Sequence, residues 1–273
     1  MKERGILSNN PFQAAQILAN LLGVTVMSFL SGCTLTPSSA SSSFISGTKH
    51  SPITTYLPSP YTTPHDVYHE VGPSETLWRI STVYGVDMAT IMRVNNIRDP
   101  KRIKSGQKLL IPNTQGPRAN IPLYPTTRWT HIVIHHTATD QGSAYSINEL
   151  HHKRGWENGM GYHFLIDNGT RGKTVGQIEV GPRWIKQMQG AHVKVSDWNQ
   201  KSIGIALVGN YSEEPVPARM MDSLVFLVAV LKNFYQIPDQ NIVGHGGVPG
   251  AKTECPGTKF PWQEFKRRLR AFS

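Results

Sequence analysis

The stretch that most narrows what this chain can become is WTHIVIHHTATD, residues 129–140. An unbroken apolar run, Ile132-Val133-Ile134, leads straight into two adjacent histidines, His135 and His136. Such a run reads as a strand buried in a sheet, with His135 at its C-terminal end. Strand ends of that kind are where α/β folds place their chemistry. An ordinary core strand has no use for paired imidazoles, so the rest of the chain must supply what they hold.

The chain has two cysteines, Cys33 and Cys255, too few for a disulfide-stapled fold. Cys255 closes the segment IVGHGGVPGAKTECPG, in which His245 and Cys255 flank a loop rich in Gly and Pro, residues 246–254. That loop can fold back on one ion. Two imidazoles and a thiolate, His135, His245 and Cys255, make a three-ligand zinc site that keeps a fourth position for water, the catalytic pattern. A metal thiolate also accounts for a lone cysteine in an oxidising compartment.

Around these residues the pattern predicts a helix from Ser146 to Gly155, with Ile147, Leu150 and His151 on one face. A second strand runs from Tyr162 to Ile166 and turns at Asp167-Asn168-Gly169. SIGIALVGNY, residues 202–211, is a third strand. Met221 to Phe234 is an amphipathic helix with Leu224, Leu227, Val228 and Leu231 inward, and FPWQEFKRRLRAF closes the chain as a basic helix.

Taken together, IVIHHTAT, GYHFLID, GAHV…WN..SIGIALVGNY and VGH…KTECPG resemble the type 2 zinc N-acetylmuramoyl-L-alanine amidases. That family includes the peptidoglycan recognition proteins and the lysozyme-type phage amidases. The resemblance covers residues 126–273. It implies an α/β fold, a mixed central sheet flanked by helices with a zinc cleft on one side. It places the zinc ligands on His135, His245 and Cys255, and the catalytic tyrosine on Tyr162. Thr253 matches the residue two before the cysteine, and Lys252 can reach the same region. His192 and Asn199 fall where the family lines its substrate cleft, and Trp156 either walls that cleft or packs in the core. Ala206 stands where a subset of the family carries a glutamate base, so the chain sides with the tyrosine type. Glu254 gains no role from the match; His136, His151 and His163 read as structural. The reaction implied is hydrolysis of the amide between N-acetylmuramic acid and L-alanine of the stem peptide, with zinc-activated water as nucleophile.

Residues 69–112 carry a separate pattern, ETLWRIS…YGV…I…NNI…I..GQKLLIP. It predicts a strand at Val71, a helix capped at Ser74-Glu75, a second helix with Met88, Ile91 and Met92, and a closing strand Leu109-Leu110-Ile111. This βααβ order resembles a LysM domain, which implies binding of N-acetylglucosamine-containing glycans. The family's groove then falls on Ser74, Glu75, Thr76 and Leu77 from one loop and Asn96, Ile97 and Arg98 from the other. Ser74 stands where the family usually has glycine.

The N-terminus holds Lys2, Arg4 and an apolar stretch, Ile17 to Leu30, about the length of a secretory h-region. It ends in Leu30-Ser31-Gly32-Cys33, which resembles the bacterial lipobox and implies cleavage after residue 32 and lipidation of Cys33. Thr34 in place of Asp favours an outer membrane, facing the periplasm. Residues 33–68 are rich in Ser, Thr and Pro and read as a tether; residues 113–125 read as a second linker. The net charge of +10 suits a partner with free carboxylates, as murein has, and no nucleic-acid motif accompanies it. The chief alternative to an enzyme is a non-catalytic peptidoglycan receptor or tether, although binding-only relatives typically lack the cysteine ligand. A cytoplasmic recycling amidase fits neither the lipobox nor Ala206.

Overall fold

A computed structural model describes residues 63–195 and 197–272. The leader, Cys33 and most of the Ser/Thr/Pro-rich segment lie outside the described residues. Among the described residues no helix is long and apolar enough to cross a membrane.

The first module is a two-stranded antiparallel sheet, β1 (His65–Glu70) with β2 (Lys108–Thr114), crossed by helices α1 (Leu77–Tyr84) and α2 (Met88–Val94). β1 therefore opens inside the segment whose composition reads as tether. Val71, Leu77, Ile80, Tyr84, Ile91, Leu109 and Ile111 form its core. The cap of α1 is Thr76, whose side chain accepts from the Arg79 N–H, and Gly85 ends the helix in the left-handed region at φ 65°. Ser74 is also left-handed, at φ 63°, which is the conformation a glycine would take there without strain.

The larger domain is a five-stranded sheet in the order β5-β4-β6-β3-β7. Its strands are β3 (His131–His136), β4 (Phe164–Asn168), β5 (Val175–Val180), β6 (Ser202–Leu207) and β7 (Ile242–Gly244). Only β5 is antiparallel to its neighbour. Strands buried on both faces need no alternation, which is why Ile132-Val133-Ile134 and residues 203–207 run without a polar side chain. Ile132, Ile134, Phe164, Ile166, Ile203 and Ile205 turn to one face, covered by α6 (Ala218–Tyr235) and α7 (Trp262–Phe272). On the other face Leu165 and Ala206 meet Ala144 and Ile147 of α3 (Ala144–Lys153). The short helices α4 (Pro182–Ile185) and α5 (Trp198–Lys201) frame the loop between β5 and β6. This is the mixed sheet flanked by helices that the family resemblance implies.

Several details differ from the sequence reading: β1 ends at Glu70, before Val71, α3 spans Ala144–Lys153, two residues earlier than expected, and β6 stops at Leu207. β4 starts and ends two positions late and takes in Asp167 and Asn168, the predicted turn. β5 has no counterpart in the reading. Residues 113–125 are not a free linker: Ala119, Ile121 and Leu123 enter the main core, and Pro122 accepts a 2.7 Å hydrogen bond from Trp184 Nε1. The same strap is tied to the first module, where Arg79 donates to the Asn120 carbonyl at 2.8 Å.

The two domains also meet directly. Ser143 Oγ donates to the Glu70 carboxylate at 2.6 Å, and Lys173 Nζ donates to the Glu70 carbonyl at 2.8 Å and to Glu179 at 2.7 Å. The Tyr145 ring lies flush against Gly106, where an added Cβ would sit 2.6 Å from it.

Candidate metal centre and cleft

The register sets the site. His135 pairs across the sheet with Ala206, Ala206 with Leu165, and Leu165 with Glu179. These residues point to the face shared with α3, since strand side chains alternate. Small residues at Gly204 and Ala206 leave room above the strands, and His135 stands at the edge of that space with 1% exposure.

His245 follows β7 in a short 3-10 turn, and Cys255 returns to it across the Gly- and Pro-rich loop. The return is closed by Gly246 N–H donating to the Cys255 carbonyl at 2.8 Å. A side chain at Gly246 would strike the Thr253 carbonyl at 2.4 Å, so this crossing needs glycine. The ligand atoms of His135, His245 and Cys255 consequently lie within 4.8 Å of one another. His135 Nδ1 and Cys255 Sγ are 3.6 Å apart. Two ligands on one tetrahedral zinc, at the usual Zn–N and Zn–S lengths, stand about 3.6 Å from each other.

Electrostatics agree with that fit. Burial, with His192, His245 and His136 nearby, holds the His135 imidazole well below the usual histidine range, so it is a neutral donor. Burial also lowers His245, with Lys194 adding to it. Burial pushes the Cys255 thiol up to about 12, against the opposing pull of the His136 N–H, which points at Sγ from 3.4 Å. A thiol so placed is no nucleophile by itself; a cation that replaces its proton turns it into a thiolate.

Tyr162 borders this cluster, its ring centroid 5.2 Å from that of His135. Burial, then the nearby Cys255, raises its phenol, which stays protonated and can donate. Trp156, 36% exposed, lies on His151 with centroids 4.4 Å apart and packs over Gly161, beside Tyr162, so it is not a core residue. Thr253 and Lys252 are exposed on the loop before Cys255, and Thr253 Oγ1 accepts from the Cys255 N–H at 3.2 Å. Glu254 is exposed as well.

Two expected cleft residues sit elsewhere. Asn199 is a buttress: its amide oxygen accepts from the N–H groups of His192 and Val193 at 3.0 and 3.1 Å, and its nitrogen donates to the Val193 carbonyl at 2.6 Å. His192 is 6% exposed and lies beneath the cluster, with Nδ1 3.0 Å from His135 Nε2. The histidines read as structural are so placed. His163 Nδ1 accepts from Gly204 N–H and its Nε2 donates to the Met188 carbonyl, while His151 Nδ1 accepts from Gly161 N–H. His136 Nδ1 accepts from the Tyr211 N–H at 3.1 Å.

In the first module, Asn96 and Thr76 are exposed, and Ile97 is half-buried against the module's core. Leu77 is 1% exposed and belongs to the core. Glu75 turns inward: its carboxylate accepts from Gly72 N–H at 2.8 Å and meets His69 Nε2 at 2.7 Å. Neither Leu77 nor Glu75 offers its side chain to a ligand.

Comparison with known proteins follows this division. Residues 125–258 match the N-acetylmuramoyl-L-alanine amidase family model, and residues 69–112 match the LysM domain. Peptidoglycan-recognition protein SC2 of Drosophila melanogaster is 33% identical over 151 residues, spanning 50% of this chain and 72% of that one. Peptidoglycan-recognition protein LB of the same fly is 32% identical over 139 residues, spanning 46% of this chain and 54% of its own length. Among solved structures, the endolysin N-acetylmuramoyl-L-alanine amidase LysCS from Clostridium intestinale is 36% identical, with a TM-score of 0.44 over 52% of this chain and 84% of that one.

Proposed function

The chain belongs to the N-acetylmuramoyl-L-alanine amidase family that includes the peptidoglycan-recognition proteins, and from that premise we propose that it is a zinc-dependent peptidoglycan hydrolase. The bond cut is the amide between N-acetylmuramic acid and L-alanine of the stem peptide. The observation that carries this reading is Cys255, which brings a thiol within ligand distance of two neutral imidazoles. A surface that only recognised peptidoglycan would need none of the three.

His135, His245 and Cys255 would hold the zinc, which when bound would supply Lewis acidity for activating a water and polarising the scissile carbonyl. The protein's own groups do the rest. The protonated Tyr162 phenol, at the cleft edge, donates to the reacting oxygen and orients it. Thr253 and Lys252, on the loop that carries Cys255, donate to the oxyanion of the tetrahedral intermediate. Each such donor contributes about 3–4 kcal/mol in other hydrolases. Lys194 beside His245 and Arg154 beside Tyr162 give the cleft a cationic rim, suited to the carboxylates of a stem peptide. The LysM domain holds the glycan through Thr76, Asn96 and Ile97. Lipidation at Cys33 would tether the enzyme to a membrane facing murein, the outer membrane in a Gram-negative cell.

The test is release of soluble product from purified sacculi, read by mass spectrometry. Stem peptides beginning at L-alanine should appear, vanish with a chelator and return with zinc. Cys255→Ser should abolish release while the protein still pellets on sacculi. Full turnover by Cys255→Ser would refute the site; pelleting without release by the wild type would favour a receptor.

A further inference from the structure

We propose that His192 is a positioning residue that fixes the tautomer of His135, so that Nδ1 of His135 is the atom offered to the metal. The inference rests on the zinc reading above. His135 Nδ1 faces Cys255 Sγ at 3.6 Å, while its Nε2 faces His192 Nδ1 at 3.0 Å. A neutral imidazole carries one proton, on one nitrogen or the other. With the proton on Nδ1, it points at Sγ and occupies the lone pair that a metal needs. With the proton on Nε2, Nδ1 is open, and the buried N–H requires an acceptor. His192 Nδ1 is that acceptor, provided His192 keeps its own proton on Nε2. The Ser202 backbone lies against the ring, and Nε2, buried, has no hydrogen-bond partner that would compete for its proton.

The fold goes to some length to keep this ring in place. A Cβ at Gly190 or at Gly204 would lie 2.3 Å from His192 Cδ2, so two glycines form its cradle. Asn199 grips the backbone at His192 and Val193. The ring is 6% exposed, so it acts through His135 and not on substrate. Groups that orient a metal-binding histidine through its second nitrogen change metal affinity by about ten- to a hundredfold when removed.

The experiment measures zinc affinity of the full chain by competition with a chromogenic chelator, for wild type, His192→Leu and His192→Gln. Leucine fills the space without an acceptor; glutamine restores an amide oxygen. His192→Leu should bind zinc about ten- to a hundredfold more weakly, with His192→Gln recovering most of the loss. Equal affinity of His192→Leu and wild type would overturn the proposal, as would equal losses in both variants. Should His192→Leu fail to fold, imidazole 15N shifts of the zinc-loaded wild type decide. His135 with metal on Nδ1 and hydrogen on Nε2 supports the assignment, and the reverse overturns it. Affinity is read independently of peptide release, so a protein that hydrolyses nothing would sink the amidase reading and leave this one standing or falling by its own result.

Discussion

At the scale of single residues, what can be read depends on how unusual the residue type is. A thiol and two imidazoles near Gly-rich turns are rare enough to point to a metal before any fold is known. Common polar residues say nothing of which way they face, so Glu75, Asn199 and His192 were open to being placed on a binding surface; His192 is found buried, and Glu75 and Asn199 half-buried with their side chains bonded to the protein's own groups. Glu75 shows what the inward turn is for. Burial raises its carboxyl, but the His69 charge and hydrogen bond outweigh that and bring it from 4.5 down to about 2. A depressed carboxylate stabilises the fold above its unfolded value and loses that contribution as pH falls from 4.5 toward 2. A shift of this size corresponds to at most about 3 kcal/mol. Glu75→Gln removes the titrating group, so its stability should vary less than that of wild type across this window. Denaturant melts of both proteins from pH 5 to about 2 check it, and parallel pH curves would count against the His69 pairing.

Among the elements, strands buried on both faces were legible because nothing in them alternates, and the long helix α6 because its apolar positions recur at helical spacing. α6 nonetheless starts earlier than its periodicity suggests and buries residues on more than one side, since α7 packs along it and Arg268 pairs with Asp222. β5 was not legible. VGQIEV mixes apolar and polar residues and holds Gly176 at φ 80°, where the Arg219 carbonyl leaves no room for a Cβ. A close approach of that kind is a fact of tertiary packing and leaves only a glycine in the sequence. β6 carries another, at Gly204. Gly204→Ala would set a methyl 2.3 Å from His192, whose ring has no retreat because Gly190 is equally close behind it. Overpacking of this sort costs about 1–3 kcal/mol. We expect Gly204→Ala to lower the melting temperature and to weaken zinc binding together, measured by calorimetry and chelator competition. A variant that melts lower yet binds zinc as tightly would mean that β6 supports the sheet without supporting the metal centre.

For the whole molecule, the order of parts was legible and their attachment was not. Composition marks residues 113–125 as a linker because Pro and polar residues separate Ala119, Ile121 and Leu123, yet those three are buried. The direct junction is made of residues distant in sequence, Glu70, Ser143, Lys173 and Glu179, which no local pattern can pair. It matters for function because Glu179 lies at the far end of the row that begins with His135, and its other oxygen accepts from the Ala144 N–H that opens α3. The LysM domain is thus fastened to the sheet row that carries His135, and on the proposed function a glycan held by one domain would be presented to the other at a fixed offset. Lys173 is the keystone. Burial lowers it, but the neighbouring Glu179 carboxylate holds it charged, while burial and the Glu179 charge drive Asp167 well above the carboxylate range, leaving it protonated and neutral. One ammonium therefore balances one carboxylate out of water. Lys173→Met would leave Glu179 buried without its partner, a loss of about 3–5 kcal/mol, and would free the Glu70 carbonyl that joins the domains. Wild type should melt in a single calorimetric transition. Lys173→Met should melt lower and in two, with the LysM domain released from the amidase domain and sacculus binding kept while peptide release falls. Two transitions already in wild type would show that the domains fold independently, and the fixed offset between them would have to be abandoned.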